Sequence, residues 1–224
     1  MLKEKSQAQL AMDEIQASVR PFPKEFWFRA RTRAFNRLTS DGLTQVVEFQ
    51  MGRFDPPGTH YAGFKKNWYG KFAVNVGIYM QELHEYNFPC TRLSFVHEYD
   101  CWIRERLGNL GPEGQDIWWE LQTAPEQSAE VCHRIERDAM PFFAKYETRE
   151  KIIGEWIPGR ATGQETDFVR FTRSRQQLAC ALILAKQERR DAARSCLRAA
   201  LEYQPNHPSS ARLRAFLLEL ETQV

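Results

Sequence analysis

The chain has no Cys-x-x-Cys pair, and its cysteines number five: Cys90, Cys101, Cys132, Cys180 and Cys196. An odd count without that spacing excludes a fully paired disulfide framework and offers no structural zinc set. The thiols are expected reduced and buried, since free cysteine behaves as a small hydrophobe. No apolar run approaches the roughly 18 residues of a membrane span. The first residues, Met1-Leu2-Lys3-Glu4-Lys5, are too polar for the apolar core of a signal peptide, so a cytoplasmic protein is expected. Charge of one sign is lacking too: 31 Lys and Arg stand against 29 Asp and Glu, a net +2, which does not mark a nucleic-acid binder. Gly-x-Ser-x-Gly, His-Glu-x-x-His and Walker patterns are absent. No catalytic residue, metal or cofactor is therefore assigned, and the balance leans away from an enzyme.

What is present is patterned. A length of 224 residues, 42% of them hydrophobic and 27% charged, suits one large domain or one domain with an extension. Leu2, Leu10, Met12, Ile15 and Val19 recur at a rough helical period, closed by Pro21 and Pro23. Residues 33–38, the turn Thr39-Ser40-Asp41-Gly42 and residues 43–51 read as a β-hairpin, with glycine free to take positive φ. In its second strand Val47, Phe49 and Met51 share one face, and Val46, Glu48 and Gln50 the other. Residues 52–70 form a long aromatic and lysine-rich loop. Residues 71–80 alternate Phe72, Val74, Val76 and Ile78 with Ala73, Asn75, Gly77 and Tyr79, as a half-buried antiparallel strand does. Residues 93–96 and 101–107 are shorter strand candidates, and residues 116–121 close the layer.

After residue 122 the period lengthens. Residues 125–146 form a helix with Val131, Ile135, Met140 and Phe143 as its stripe, which Pro141 should kink or split. Residues 147–156 make another short helix, and residues 167–224 three more. Ala181, Ala193, Leu197, Ala200 and Pro205 are spaced like the small and proline positions of one tetratricopeptide unit, a spacing that any α-hairpin with close-packed small residues also produces. The expected architecture is α+β: an antiparallel sheet packed by helices over residues 1–122, then an all-α subdomain over residues 123–224.

Four blocks carry a family resemblance: Val46-Val47-Glu48-Phe49-Gln50; the strand from Phe72 to Tyr79; the run Glu98-Tyr-Asp-Cys-Trp-Ile-Arg-Glu-Arg-Leu-Gly108; and Asp116-Ile117-Trp118-Trp119. Over about residues 25–122 the chain resembles a bacterial family known as domain of unknown function 4304. The resemblance implies no reaction. It implies small cytosolic bacterial proteins of the accessory or immunity type.

Several groups invite a functional reading. His97 precedes Glu98, but on a strand neighbours face opposite ways, which separates them. His84 with Glu82 and Glu85 reads as a solvated turn. Residues 20–37 combine Arg20, Lys24, Arg29, Arg31, Arg33 and Arg37 with Phe22, Phe26, Trp27, Phe28 and Phe35, a mixture that suits a nucleic-acid strand or, more simply, core aromatics under a solvated basic face. Alternation places Trp102, Arg104 and Arg106 together, where arginine can stack on indole and bind carboxylates, either a ligand's or those of Asp100, Asp116 or Glu120. Gln50 and Asn75 extend that face. Lys65, Lys66, Trp68 and Tyr69 in the long loop suit a protein interface. The expected function is a non-enzymatic protein-binding module, most concretely an immunity or antitoxin-like protein that neutralises a toxin. A small-molecule or nucleotide enzyme on the arginine face and a nucleic-acid binder through residues 20–37 are the alternatives.

Overall fold

The computed structural model describes residues 5–52, 68–121, 124–157, 172–203 and 210–222. Ser6 opens the first helix with a capping box: its hydroxyl accepts from the Gln9 N–H at 3.3 Å while the Gln9 side chain accepts from the Ser6 N–H at 2.8 Å. Helix α1 (Gln7–Val19) gives way to α2 (Pro21–Glu25), with proline at a first-turn position where an N–H is not needed. Strands β1 (Arg29–Arg31), β2 (Ala34–Leu38), β3 (Thr44–Met51) and β4 (Lys71–Tyr79) follow. After them come α3 (Gln81–Asn87), a 3-10 turn (Glu98–Asp100), β5 (Ile103–Arg106), the single turn α4 (Leu107–Leu110) and β6 (Trp119–Glu120). The remainder is helical: α5 (Ala124–Arg134), a π turn (Ile135–Ala139), α6 (Met140–Lys145), α7 (Arg149–Trp156), α8 (Arg173–Lys186), α9 (Arg190–Tyr203) and α10 (Ser210–Thr222). The chain divides into two compact units, Met1–Tyr79 with Leu93–Ala144, and Met80–Arg92 with Lys145–Val224. The fold is thus α+β, with an all-helical C-terminal part.

The first unit is built on an antiparallel sheet in the order β1-β2-β3-β4-β5, with β6 pairing the start of β4. The hairpin and the alternating strand lie where the sequence places them. A row of rings crosses the inner face: Phe35 meets Phe49 at 5.9 Å, Phe49 meets Phe72 at 6.0 Å, and Phe72 meets Trp119 at 5.5 Å. Met12, Ile15 and Val19 of α1 and Val131, Ile135 and Phe143 of the α5–α6 run are fully buried in the same unit. Three polar side chains anchor the inner layer. Gln16 Nε2 donates to the Thr32 carbonyl, Gln45 Nε2 to the Phe143 carbonyl, and Trp119 Nε1 to Glu130, at 3.1–3.2 Å. Residues 124–144, grouped by the sequence pattern with the C-terminal helices, belong to this unit.

Other expectations change. The three-residue edge strand β1 had no counterpart in the sequence reading. Residues 93–96 form no strand, and of residues 101–107 only Ile103–Arg106 pairs with β4. Of residues 116–121, only Trp119–Glu120 is strand. Pro141 does not split its helix. Proline has no N–H for the turn before it, and the helix widens instead: the Met140 N–H reaches back to the Ile135 carbonyl across a π turn.

In the second unit, residues 82–85 are not a solvated turn. They lie in α3, and Glu82 and His84 are buried. Arg149 of α7 donates from Nε and Nη2 to the two carboxylate oxygens of Glu82, at 2.7 and 3.0 Å. Helices α8 and α9 form a hairpin in which Ala181, Ala193, Leu197 and Ala200 are fully buried; Pro205 lies outside the described residues. Cys101, Cys180 and Cys196 are buried as expected, but Cys132 is partly buried and Cys90 exposed. Removing one arm of the Glu82–Arg149 pair strands a buried charge, so Arg149→Met is expected to cost about 3 kcal/mol in urea unfolding. A cost under a few tenths would show that the pair contributes nothing.

Candidate functional site

The strand register fixes what stands on the sheet's outer face. Asn36, Val46, Gly77 and Arg104 form one row across β2 to β5, and Ala34, Glu48, Asn75 and Arg106 form the next. Over the first row lies the segment 93–101. It pairs with side chains rather than with a strand. Asn36 donates from Nδ2 to the Val96 carbonyl and accepts from the Val96 N–H, both at 2.8 Å. Glu48 accepts from His97 Nδ1 at 2.9 Å on one oxygen and from the Glu98 N–H at 2.6 Å on the other. Beneath this strap Val46, Tyr79, Val96 and Cys101 bury one another, with Leu93 packed on them. Gly77 is required there: a Cβ on it would stand 2.7 Å from both Cβ and Sγ of Cys101.

This geometry corrects the separation of His97 from Glu98. Residues 98–100 are a 3-10 turn rather than a strand, so the His97 ring and the Glu98 backbone N–H both reach the Glu48 carboxylate, while the Glu98 side chain faces Arg104. Tyr99 stacks on the His97 ring at 5.1 Å, nearly parallel, with its own outer side open. Burial pushes the Glu98 carboxyl above the ordinary glutamate value; nearby Arg104 opposes that shift and Glu48 adds to it.

Arg104 and Arg106 share the outer face, as alternation predicts, but they serve different neighbours. Arg104 is half exposed and reaches Glu98 at 3.8 Å. Arg106 lies 3.3 Å from Asp116 and stacks 4.6 Å from the Trp118 ring, which in turn stacks on Trp68 at 4.4 Å. Asn75, directly paired with Arg106, donates to Gln50 at 2.9 Å. The structure therefore gathers Gln50, Asn75, Arg106 and Trp68 at one end of the face. Arg104 stands over Gly77 at the other end, Trp102 is partly buried just before β5, and Tyr69 is exposed in the turn leading to β4. Lys65 and Lys66 lie outside the described residues. Among those residues, no group of three His, Cys, Asp or Glu side chains is arranged for a metal ion.

Sequence reasoning missed Asn36 and Glu48 as organisers. Their one signal is an amide and a charge at outward positions of otherwise apolar strands. It also grouped Trp27 with the core aromatics of residues 20–37. Phe28 and Phe35 are core, and Arg37 packs its guanidinium 4.9 Å over Phe28, as the solvated-face reading has it. Trp27, however, is 85% exposed and holds φ +66.

A family model described as domain of unknown function (DUF4304) matches residues 19–145, more than half of the chain. The chain belongs to that family. The matched span extends beyond the expected 25–122 and takes in α5, the π turn and α6. No curated protein and no solved structure matches the chain. Within the DUF4304 domain, the run from Glu98 to Gly108 works as scaffold. Cys101 packs on Gly77, and Ile103 and Leu107 are core. Glu105 accepts from the Arg106 N–H and from Asn109. A Cβ on Gly108 would fall 2.4 Å from the Gln115 carbonyl oxygen.

Two measurements check this account. Gly77→Ala forces the strap off the sheet and is expected to cost about 1–3 kcal/mol in denaturant unfolding; a neutral result would show that the strap yields freely. For Glu98, a folded-state value above the unfolded one means that the native state binds the proton more readily. Its contribution is therefore present below the ordinary value of 4.5 and is lost as pH rises through the raised one. The stability of Glu98→Gln relative to the unsubstituted protein should accordingly grow across that window in urea titrations. A difference that shrinks with pH would contradict the assignment.

Proposed function

We propose that the chain is a protein-binding module without a reaction of its own, acting in the cytosol in the manner of a bacterial immunity or antitoxin-like protein that occludes a cognate toxin. One observation carries the reading. The charged side chains of the family signature hold one another, whereas Trp27 and Leu38, the large side chains most open to solvent in the same unit, make no side-chain hydrogen bond or ring contact among the described residues, and Tyr99 leaves the outer side of its ring open above His97. Exposed tryptophan and tyrosine beside arginine are the residue types enriched at interface hot spots. The α8–α9 hairpin, whose small residues are spaced in the sequence as in one tetratricopeptide unit, would supply a second protein-facing surface.

A second reading has its own observation. The Arg106–Trp118–Trp68 stack beside Gln50 and Asn75 offers a guanidinium, two amides and an aromatic platform, a set that suits a small anionic or nucleotide ligand and an enzyme acting on it. Turnover of such a ligand that disappears in a folded Arg106→Ala variant would favour it.

Co-expression with the product of the adjacent gene tests the leading reading. A stable complex and protection from that product's toxicity are expected, and Tyr99→Ala should weaken the complex by about 1–2 kcal/mol. Neither complex nor protection would sink the proposal.

A further inference from the structure

The cations of the sheet unit are not distributed evenly between paired and unpaired. Lys5, Lys71, Arg104, Arg106, Arg134 and Arg137 each stand beside a carboxylate, at 2.7–3.8 Å. Arg20, Lys24, Arg29, Arg31 and Arg33 have no ion pair among the described residues, and all but Arg33 are exposed. They fall within fourteen residues that hold one acid, Glu25. The Arg31 guanidinium lies over the ring of Phe95, 5.9 Å from its centre. Among the described residues of this unit, those six cations are ion-paired and these five are not, which leaves a concentrated positive margin here.

The same margin is apolar and has a free edge. Among the described residues β1 is the terminal strand of the sheet and pairs only with β2. Arg29 is opposite Asn36, so Trp27 and Leu38, each two residues further on, fall at the same end of the β1–β2 ladder. They are 85% and 73% exposed. Trp27 also holds a left-handed backbone conformation that a bulky residue rarely adopts, and it gains no burial there. A strained backbone that presents an exposed indole is the kind of outlier from which a functional role is argued.

We infer that this margin takes an extended protein segment with acidic side chains and an apolar neighbour. The segment's main chain adds to the free edge of β1, its carboxylates meet Arg29 and Arg31, and its apolar side chain seats against Trp27 and Leu38. The inference rests on the protein-binding reading above and specifies the partner's chemistry. Leu38 and the free edge favour protein over nucleic acid: a leucine stacks no base, and a strand edge reads only another main chain.

Fluorescence anisotropy with the full chain tests it, using three labelled probes: a twelve-residue peptide alternating Glu and Leu, its Lys and Leu counterpart, and a twenty-nucleotide oligothymidine. The acidic peptide is expected to bind, more weakly as salt rises. Arg29→Glu/Arg31→Glu and Trp27→Ala should each weaken it at least tenfold with circular dichroism unchanged, and Lys5→Glu, which reverses a cation elsewhere in the unit, should not. Equal binding of the basic peptide, tighter binding of the oligonucleotide, no binding of the acidic peptide, or indifference to Arg29→Glu/Arg31→Glu would overturn the inference. If a partner from the adjacent gene binds the unsubstituted chain and Arg29→Glu/Arg31→Glu equally well, the protein-binding reading stands and this inference falls. If neither that partner nor the peptide binds, both fall.

Discussion

The outer face of the sheet depends on one carboxylate. Glu48 projects from a strand with neighbours on both sides, and both of its oxygens are occupied, one by the His97 ring and one by the Glu98 N–H. A charge at that place, left without donors, would oppose any covering of the sheet. With them it becomes the anchor of the covering. Together with Asn36, which imitates a strand partner for Val96, it lays the strap over Val46, Gly77 and Tyr79. The strap then places Cys101 on Gly77 and delivers the chain into β5 in the register that pairs Arg104 with Gly77 and Arg106 with Asn75.

Seen from that anchor, the family signature is a structural device. Its charged residues look like the makings of a site because they alternate with aromatics in a short span. Each has a task in the fold: Glu98 and Arg104 face one another, Glu105 receives the next N–H, and Arg106 is held between Asp116 and Trp118. A motif can therefore mark a family through the scaffold it builds. The unpaired basic stretch, the exposed tryptophan and the free strand edge are all outside this motif.

Much of the fold was legible in the sequence, for a local reason. Period-two alternation in β3 and β4 assigned each side chain to its face, and the turn at 39–42 joined the hairpin, because both signals lie within a few neighbouring residues. Helix periods after residue 122 were equally local. The short pieces were not legible. β1 has three residues, too few for a period, β6 was legible only as the neighbourhood 116–121 and not in its bounds, and α3 was hidden because its buried Glu82 looks polar until Arg149, far along the chain, is brought to it. The π turn ahead of Pro141 was likewise invisible: local rules say that proline interrupts a helix, and only the surrounding core requires it to continue.

The sequence by itself determined the α+β class, the two faces of the central strands, the common face of Arg104 and Arg106, and the family. These follow from composition, from side-chain alternation and from motif order, none of which needs distant contacts. Tertiary structure alone decided that the His97 ring and the Glu98 N–H meet at Glu48, that Arg106 is held by Asp116 and Trp118 while Arg104 turns to Glu98, and that Trp27 remains outside while Phe28 beside it is buried. Each of those outcomes depends on which partner arrives across the sheet, and a linear pattern carries no record of that.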